Sequence, residues 1–307
     1  MDRLSQNTKV RVRTCSKINL FLDVLERRPD GYHEIRSVMQ SLELGDDLVM
    51  SCLDITGAAG SSVTLTVTGH DAPTDRSNLA VRAAELVLQA CGIRAAITIH
   101  LHKRVPAASG LGGGSSDAAG AIVGLNELLG LGLSRQEMEE LGSRLGADVP
   151  FCIRCGTARA EGIGDRLIQL PSPSNFWVVL VIPPIEVSTA EMYRLLDTWP
   201  GRGCTKSDIS AIERAISKND LPGIAAAMSN AFYPIAASLH PVVEQAAGFL
   251  LECGALGATM SGSGPSVFGI VSSELEAKSI AQEVSSVFDE CTVTYTRASS
   301  GMLLKRE

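Results

Sequence analysis

The 307-residue chain has no apolar run long enough to span a bilayer. Its longest strongly apolar stretch, residues 176–182, is stopped by Pro183 and Pro184, whereas a membrane helix needs about 20 such residues. The first residues, MDRLSQNTKVRVRTCSK, lack the apolar segment and cleavage site of a secretory leader, which points to a cytoplasmic protein. Positive charge is not in excess: 27 Lys and Arg face 34 Asp and Glu, a net charge of −7. Aromatic residues make up only 4%. A bulk nucleic-acid binder wants a basic face and stacking platforms, so neither a nucleic-acid nor a membrane partner is expected. A local basic pocket for a phosphate ligand stays open. Eight cysteines (Cys15, Cys52, Cys91, Cys152, Cys155, Cys204, Cys253 and Cys291) are scattered through the chain. They read as small buried apolar groups, not as a disulfide framework. Cys152 and Cys155 form a lone CxxC with no second ligand pair, weak grounds for zinc or redox chemistry. No long repeat or low-complexity tail is present.

Glycine, by contrast, is concentrated where it matters. Residues 106–129 read PAASGLGGGSSDAAGAIVGLNELL. Gly110, Gly112, Gly113 and Gly114 fall within five residues, and Ser115, Ser116 and Asp117 follow. Ala118, Ile122, Leu125 and Leu129 are then spaced as one face of a helix. Before the loop, Ile97, Ile99 and Leu101 alternate with polar residues as in a half-buried strand. The order is strand, tight loop, helix. Glycines let the backbone approach a ligand closely, and the helix N-terminus offers unpaired N–H groups at the positive end of its dipole. The serines add hydroxyl donors and are candidate helix caps. The loop is not a Walker A, because no Lys follows the last glycine, and not GxGxxG, because position 115 is Ser. The plain alternative is a flexible Gly–Ser connector.

With 45% hydrophobic and 20% charged residues, the rest of the chain supports a substantial core in one large or two ordinary domains. Extended segments are expected at 9–12, 17–25, 34–44, 47–53 and 62–68. Lys17 opens the second of these; alone, it reads as a solvated charge. Pro29-Asp30-Gly31 is turn chemistry that delivers Tyr32 and His33 side by side. A helix is expected at 78–91 with Asn78 as its cap. Another spans 134–145, where Ser134 and Glu137 fit a capping box. His100 and His102 share a polar strand face without an evident third ligand, so they read as exposed residues. Asp148 lies between a helix end and Pro150, either capping the next helix or serving as a base. A domain boundary is placed near 160, dividing 1–160 from 161–307. The second half reads as a strand (175–182), a helix (190–198) with Tyr193, and a loop (200–207). Helices at 207–216, 221–228 and 241–252 follow. A second small-residue loop (254–266) leads to a strand (267–271), a helix (274–288) and a strand (292–297).

Two glycine–serine loops, one Lys and one Asp are the parts that phosphoryl transfer needs: a phosphate cradle, a positive charge and a proton acceptor. PAASGLGGGSSDAA resembles the phosphate loop of the GHMP kinases. SKINLFLDVLERRPDGYHEIRSVMQ, LGADVPF and GATMSGSGPSVFGI extend the resemblance from about residue 12 to the end. PDGYH points to the branch whose substrate carries a cytosine. The resemblance implies a two-domain α+β fold with its active site in the interdomain cleft. It implies ATP-dependent phosphorylation of the 2-hydroxyl of a cytidine diphosphate-linked methylerythritol, with ATP and Mg²⁺, for non-mevalonate isoprenoid synthesis. A monomer or weak homodimer is expected.

By the same resemblance, Lys17 and Asp148 are the catalytic pair. Pro106, Ala107, Ala108, Ser109, Gly110, Leu111, Gly112, Gly113, Gly114, Ser115 and Ser116 form the ATP-phosphate loop, with Asn78 as a nucleotide contact. Tyr32 and His33 take the cytosine, Tyr193 closes its other side, and Thr189 lies one helical turn earlier. Asn19 contacts substrate, and Gly262, Ser263 and Gly264 lie near its diphosphate. Tyr32 has a π face for a pyrimidine, and His33 has ring nitrogens for its edge. No carboxylate cluster marks metal ligands, which are left unassigned. Two departures stand out. Cys15-Ser16 replaces the family's Pro-Ala before the lysine, bearing on how rigidly Lys17 is presented. Residues 230–234 (NAFYP) lack the usual acidic residues and carry no functional reading. Three competing readings are weaker. The Tyr32–His33 pair argues against another kinase of the superfamily, whose substrates have no base. The presence of both Lys17 and Asp148 argues against a non-catalytic nucleotide binder. The absent GxGxxG argues against a dinucleotide oxidoreductase.

Overall fold

The structure, a computed structural model, describes residues 8–54, 61–200, 208–297 and 301–306. The expected loop at 200–207 therefore falls almost wholly outside the described residues, as do Cys204 and the first residue of the helix expected at 207–216.

The chain begins β1 (Lys9–Arg13), β2 (Lys17–Arg27), β3 (His33–Ser41), β4 (Asp47–Asp54), β5 (Ser62–Gly69), α1 (Leu79–Ala90), β6 (Ala96–Lys103) and α2 (Gly113–Leu128). It continues α3 (Arg135–Ser143), α4 (Val149–Arg154), β7 (Thr157–Glu161), β8 (Arg166–Gln169), β9 (Trp177–Val181) and α5 (Thr189–Thr198). Next come α6 (Ile209–Ser217), α7 (Leu221–Ala227), β10 (Ser229–Asn230), α8 (Tyr233–Leu239) and α9 (Pro241–Glu252). β11 (Gly257–Met260), β12 (Val267–Val271), α10 (Glu274–Val284), β13 (Cys291–Tyr295) and β14 (Leu303–Arg306) complete it.

Three sheets form, in the orders β14-β1-β4-β6-β5, β10-β2-β3-β7-β8 and β11-β12-β9-β13. The first is covered by α1 and α2, with α4 packed against α2. Ile97, Ile99 and Leu101 of β6 pack there with Ala118, Ile122 and Leu125 of α2, the residues whose periodicity marked strand and helix. β9 has apolar residues on both faces, as an uninterrupted hydrophobic run requires. Val178 and Leu180 join the core with Ile18, Leu20 and Phe21 of β2. Val179 and Val181 join the core under α5, α8, α9 and α10. Asn78 caps α1, accepting from the Ala80 N–H at 2.9 Å, and the Ser134–Glu137 capping box is formed.

Several expectations change. Gly112, left-handed at φ 72°, is the N-cap of α2. The helix therefore starts early enough to place Ser115 and Ser116 inside it, so neither caps. The helix expected to 288 stops at Val284, where the Ser285 and Ser286 hydroxyls donate to the Ala281 and Glu283 carbonyls. A boundary at 160 falls within β7, and β10 and β14 of the second half sit in sheets of the first. β8, β10, α8 and β14 carry no clear signal in the sequence: the first three are short, and β14 is an exposed edge strand without a buried face.

Candidate active site

Lys17 opens β2, its backbone N–H donating to the Leu111 carbonyl at 2.9 Å. The strand is thus tied to the glycine loop at its first residue. The Lys17 side chain is 5% exposed. Its stem passes over Gly112, where a Cβ would lie 3.0 Å from Lys17 Cγ. Nζ donates to Asn19 Oδ1 at 2.8 Å and to the Gly110 carbonyl at 2.9 Å, and lies 3.6 Å from Asp148 Oδ2. Asn19 in turn donates to Ser37 Oγ, which donates to the Phe21 carbonyl. This chain fixes the amide so that its oxygen meets the ammonium. Asp148 occupies the N-cap position of α4 but makes no capping bond; its carboxylate faces Lys17 instead.

Around this pair runs a cleft of about 920 Å³. From the glycine loop, Ala108, Gly110, Gly112 and Ser115 line it. Ala108 is left-handed at φ 52°, as are Gly110 at 81° and Gly112 at 72°. Left-handed residues among ordinary ones turn backbone N–H groups into an anion-binding concavity, and α2 follows with its unpaired N-terminal N–H groups. The other expected loop residues, Pro106, Ala107, Ser109, Leu111, Gly113, Gly114 and Ser116, are not among the lining. Leu111 and Ser116 are fully buried, and Ser116 Oγ donates to the Cys15 carbonyl. Asn78 is not on the cleft wall either. Its carbonyl oxygen caps α1 and its amide donates to the Pro73 carbonyl at 2.7 Å.

Tyr32, which also lines the cleft, stands 61% exposed on the turn. His33 is buried beside it and stacks on Tyr193, with centroids 4.9 Å apart. Tyr193 meets Phe232 edge-on. Burial, then the charge of Asp148, pushes the Tyr193 hydroxyl up to about 12, so it remains a neutral donor. Thr189 and Ser263 share a 2.8 Å hydroxyl bond, joining α5 to the second small-residue loop. That loop crosses to the first: Ser261 Oγ donates to the Gly110 carbonyl, and the Ser266 N–H donates to the Ser109 carbonyl. A Cβ on Gly262 would lie 3.2 Å from Lys17 Nζ.

Sequence reasoning missed three groups. Asn230 Nδ2 donates to the Met260 and Gly262 carbonyls at 2.6 and 2.8 Å, clamping the second loop. Its NAFYP setting showed only an Asn. Asp197 bonds His33 across 164 residues of sequence. Lys103 lies buried between Asp46 and Asp117 beneath the glycine loop, at 2.6 and 2.8 Å. Burial alone lowers Lys103, but Asp117 and Asp46 outweigh it and leave the ammonium raised.

Cys15, Cys152 and Cys155 are buried together, with Cys15 Sγ 2.6 Å from Cys155 Sγ. The hydrogen bond to Cys155 and then burial hold the Cys15 thiol well above its ordinary range; burial does the same to Cys152. The Cys15-Ser16 departure is thus anchored through side chains, since Ser16 Oγ also donates to the Leu44 carbonyl at 2.7 Å. Among the described residues no group of three or more His, Cys, Asp or Glu could hold a metal, and no helix is long and apolar enough to cross a membrane.

The family descriptions "GHMP kinases N terminal domain" and "GHMP kinases C terminal" match residues 78–156 and 209–290. The 4-diphosphocytidyl-2-C-methyl-D-erythritol kinase of Pelotomaculum thermopropionicum is 46% identical over 281 residues, covering 92% of this chain and 96% of that one. Its counterpart in Exiguobacterium sibiricum is 40% identical, covering 87% and 91%. A crystal structure of 4-(cytidine 5'-diphospho)-2C-methyl-D-erythritol kinase superposes with a TM-score of 0.78 at 30% identity, covering 94% of this chain and all of that one. Homoserine kinase from Cytophaga hutchinsonii, at TM-score 0.75 and 19% identity, covering all of this chain and 99% of that one, shares the fold. With such identity sustained along nearly the whole length of both chains, this chain belongs to the 4-diphosphocytidyl-2-C-methyl-D-erythritol kinases, small-molecule kinases of the GHMP family.

Proposed function

We propose that the protein transfers the γ-phosphoryl group of ATP to the 2-hydroxyl of 4-diphosphocytidyl-2-C-methyl-D-erythritol. One observation carries the reading. The Lys17–Asp148 pair lies in a cleft that is also lined by a phosphate-type loop and by Tyr32 and His33. Asp148 is the proton acceptor for the attacking hydroxyl, and its partly exposed carboxylate is reachable from the cleft. Lys17 is the electrostatic partner. Its ammonium already has two neutral acceptors, Asn19 and Gly110, so its charge is held in place for the developing negative charge rather than recruited during reaction. The loop from Ala108 to Ser115 holds the ATP phosphates on backbone N–H groups. Tyr32 offers a face to the cytosine and His33 an edge. Tyr193, on which His33 stacks, lines the same cleft with Thr189, Gly262 and Ser263.

For Mg²⁺, the chain offers few oxygen donors. The Ser115 hydroxyl, which faces Gly146, and the Asp148 carboxylate line the cleft and would be its protein donors there. This fits an ion that arrives with ATP and keeps water and phosphate oxygens as most of its ligands. When bound, it neutralises phosphate charge.

The test is ATP-dependent ADP release with 4-diphosphocytidyl-2-C-methyl-D-erythritol, homoserine, mevalonate and galactose in parallel. Turnover with the cytidyl compound alone is expected. Turnover with another alcohol instead would keep the Lys17–Asp148 chemistry and remove the cytosine assignment.

A further inference from the structure

His33 Nε2 lies 2.9 Å from Asp197 Oδ1, and both residues line the cleft. Asp197 follows Tyr193 by four residues on α5, so one helix face supplies both the ring on which the imidazole stacks and the carboxylate that meets its edge. The imidazole side chain is only 5% exposed. With one face against Tyr193 and one nitrogen against Asp197, it has little freedom to turn.

A carboxylate only accepts hydrogen bonds, so Nε2 must carry the proton in that bond. In the neutral ring the other nitrogen, Nδ1, is then a lone-pair acceptor, because the partner of one nitrogen sets the state of the other. Nδ1 has no hydrogen-bond partner among the described residues and is not among the sealed-off polar atoms. It remains available to a ligand.

We propose that Asp197 is a positioning residue that fixes His33 as an acceptor at Nδ1 and thereby selects a 4-aminopyrimidine over a 4-oxopyrimidine. This rests on the cytidyl reading above. The pairing edge of cytosine has one donor, its 4-amino group; N3 and O2 are acceptors. An Nδ1 acceptor therefore matches the amine of cytosine and opposes the carbonyl that uracil carries at the same place. Asp197 needs no contact with the base to impose this choice.

Two measurements test it. The first compares the cytidyl substrate with its uridyl counterpart in the wild type, Asp197→Asn and Asp197→Glu. An Asn amide can donate to Nε2 and release the tautomer. The wild type is expected to prefer cytidyl, and Asp197→Asn to lower the cytidyl-to-uridyl ratio of kcat/KM about tenfold or more, the size of one lost hydrogen bond. The loss should fall mainly in the cytidyl KM, and Asp197→Glu should restore much of it. A ratio unchanged in the Asn variant overturns the proposal. The second measurement is the nitrogen NMR signature of His33 in the wild-type protein, which requires no variant to fold. A protonated Nε2 with a bare Nδ1 is expected, and the opposite tautomer overturns the proposal. Wild-type protein inactive on the cytidyl compound would overturn the cytidyl reading itself. Active wild type with an insensitive ratio would overturn only the role of Asp197.

Discussion

Lys17 Nζ stands 3.6 Å from Asp148 Oδ2 while donating to Asn19 and to the Gly110 carbonyl. The carboxylate is therefore the one group of this cluster not fully engaged by closer bonds. Asp148→Asn keeps the shape and removes the proposed proton acceptor. Turnover is expected to fall by about 10²- to 10⁴-fold, the range for a general base, with ATP binding by calorimetry nearly unchanged. A variant keeping a large share of wild-type turnover would take the base role away from Asp148.

Tyr32 is the exposed member of the aromatic group, at 61%, and few packing contacts are at risk in removing it. Tyr32→Ala should raise KM for the cytidyl substrate far more than KM for ATP, since stacking on a base is worth ~1–3 kcal/mol. Equal effects on both substrates would make Tyr32 a purely structural residue.

Asn230 holds two carbonyls of the second loop and accepts the Phe232 N–H. Asn230→Ala should cost about 1–3 kcal/mol, the penalty for stranding buried polar groups, read as a lower denaturation midpoint together with a higher substrate KM. Asn230→Asp should not rescue it, because a carboxylate cannot donate to Met260 and Gly262. Full rescue by Asp would mean that the clamp is unimportant.

Lys103, nearly buried, bridges the buried carboxyl groups of Asp46 and Asp117. Lys103→Met should destabilise the fold by about 3–5 kcal/mol, as removal of one partner from a buried ion pair does, measured by urea unfolding. A loss near zero would show that Asp46 and Asp117 are compensated elsewhere.

Asp117 gives this cluster a pH signature. Burial and then the charge of Asp46 raise its carboxyl well above the usual carboxylate range, against the opposing pull of Lys103. A carboxyl raised in the folded state stabilises fully below its unfolded pKa, and that contribution is lost as pH climbs through the raised value. Asp117→Asn removes the titration. The variant should therefore gain stability relative to wild type as pH rises from the ordinary carboxylate value upward. Parallel stability profiles would mean that Asp117 does not titrate differently on folding.

Much of this was legible in the sequence because it is local. The 3.6-residue spacing of Ala118, Ile122 and Leu125, the alternation in β6 and the cap at Asn78 each depend on a few neighbouring residues. Lys17, Asp148, Tyr32 and His33 were singled out through family motifs, and the structure brings all four to one cleft. What escaped is long-range. Asp197 meaning something to His33, Asn230 to Gly262, or Lys103 to Asp46 requires the folded chain, because no periodicity links them. Asn78 shows the converse. Its local capping role was readable, and that role uses both ends of the amide expected to contact nucleotide.

β14 pairs antiparallel with β1, matching Val10 to Arg306 and Val12 to Leu304. On a ribosome, the outer edge of β1 emerges almost three hundred residues before the strand that covers it. Until then that edge presents unpaired N–H and C=O groups to other nascent chains. A pairing so distant in sequence also makes closure of this sheet a late and slow event. Translation stalled or truncated short of residue 303 would leave a kinase whose cleft residues are all synthesised but whose first sheet still has an open seam.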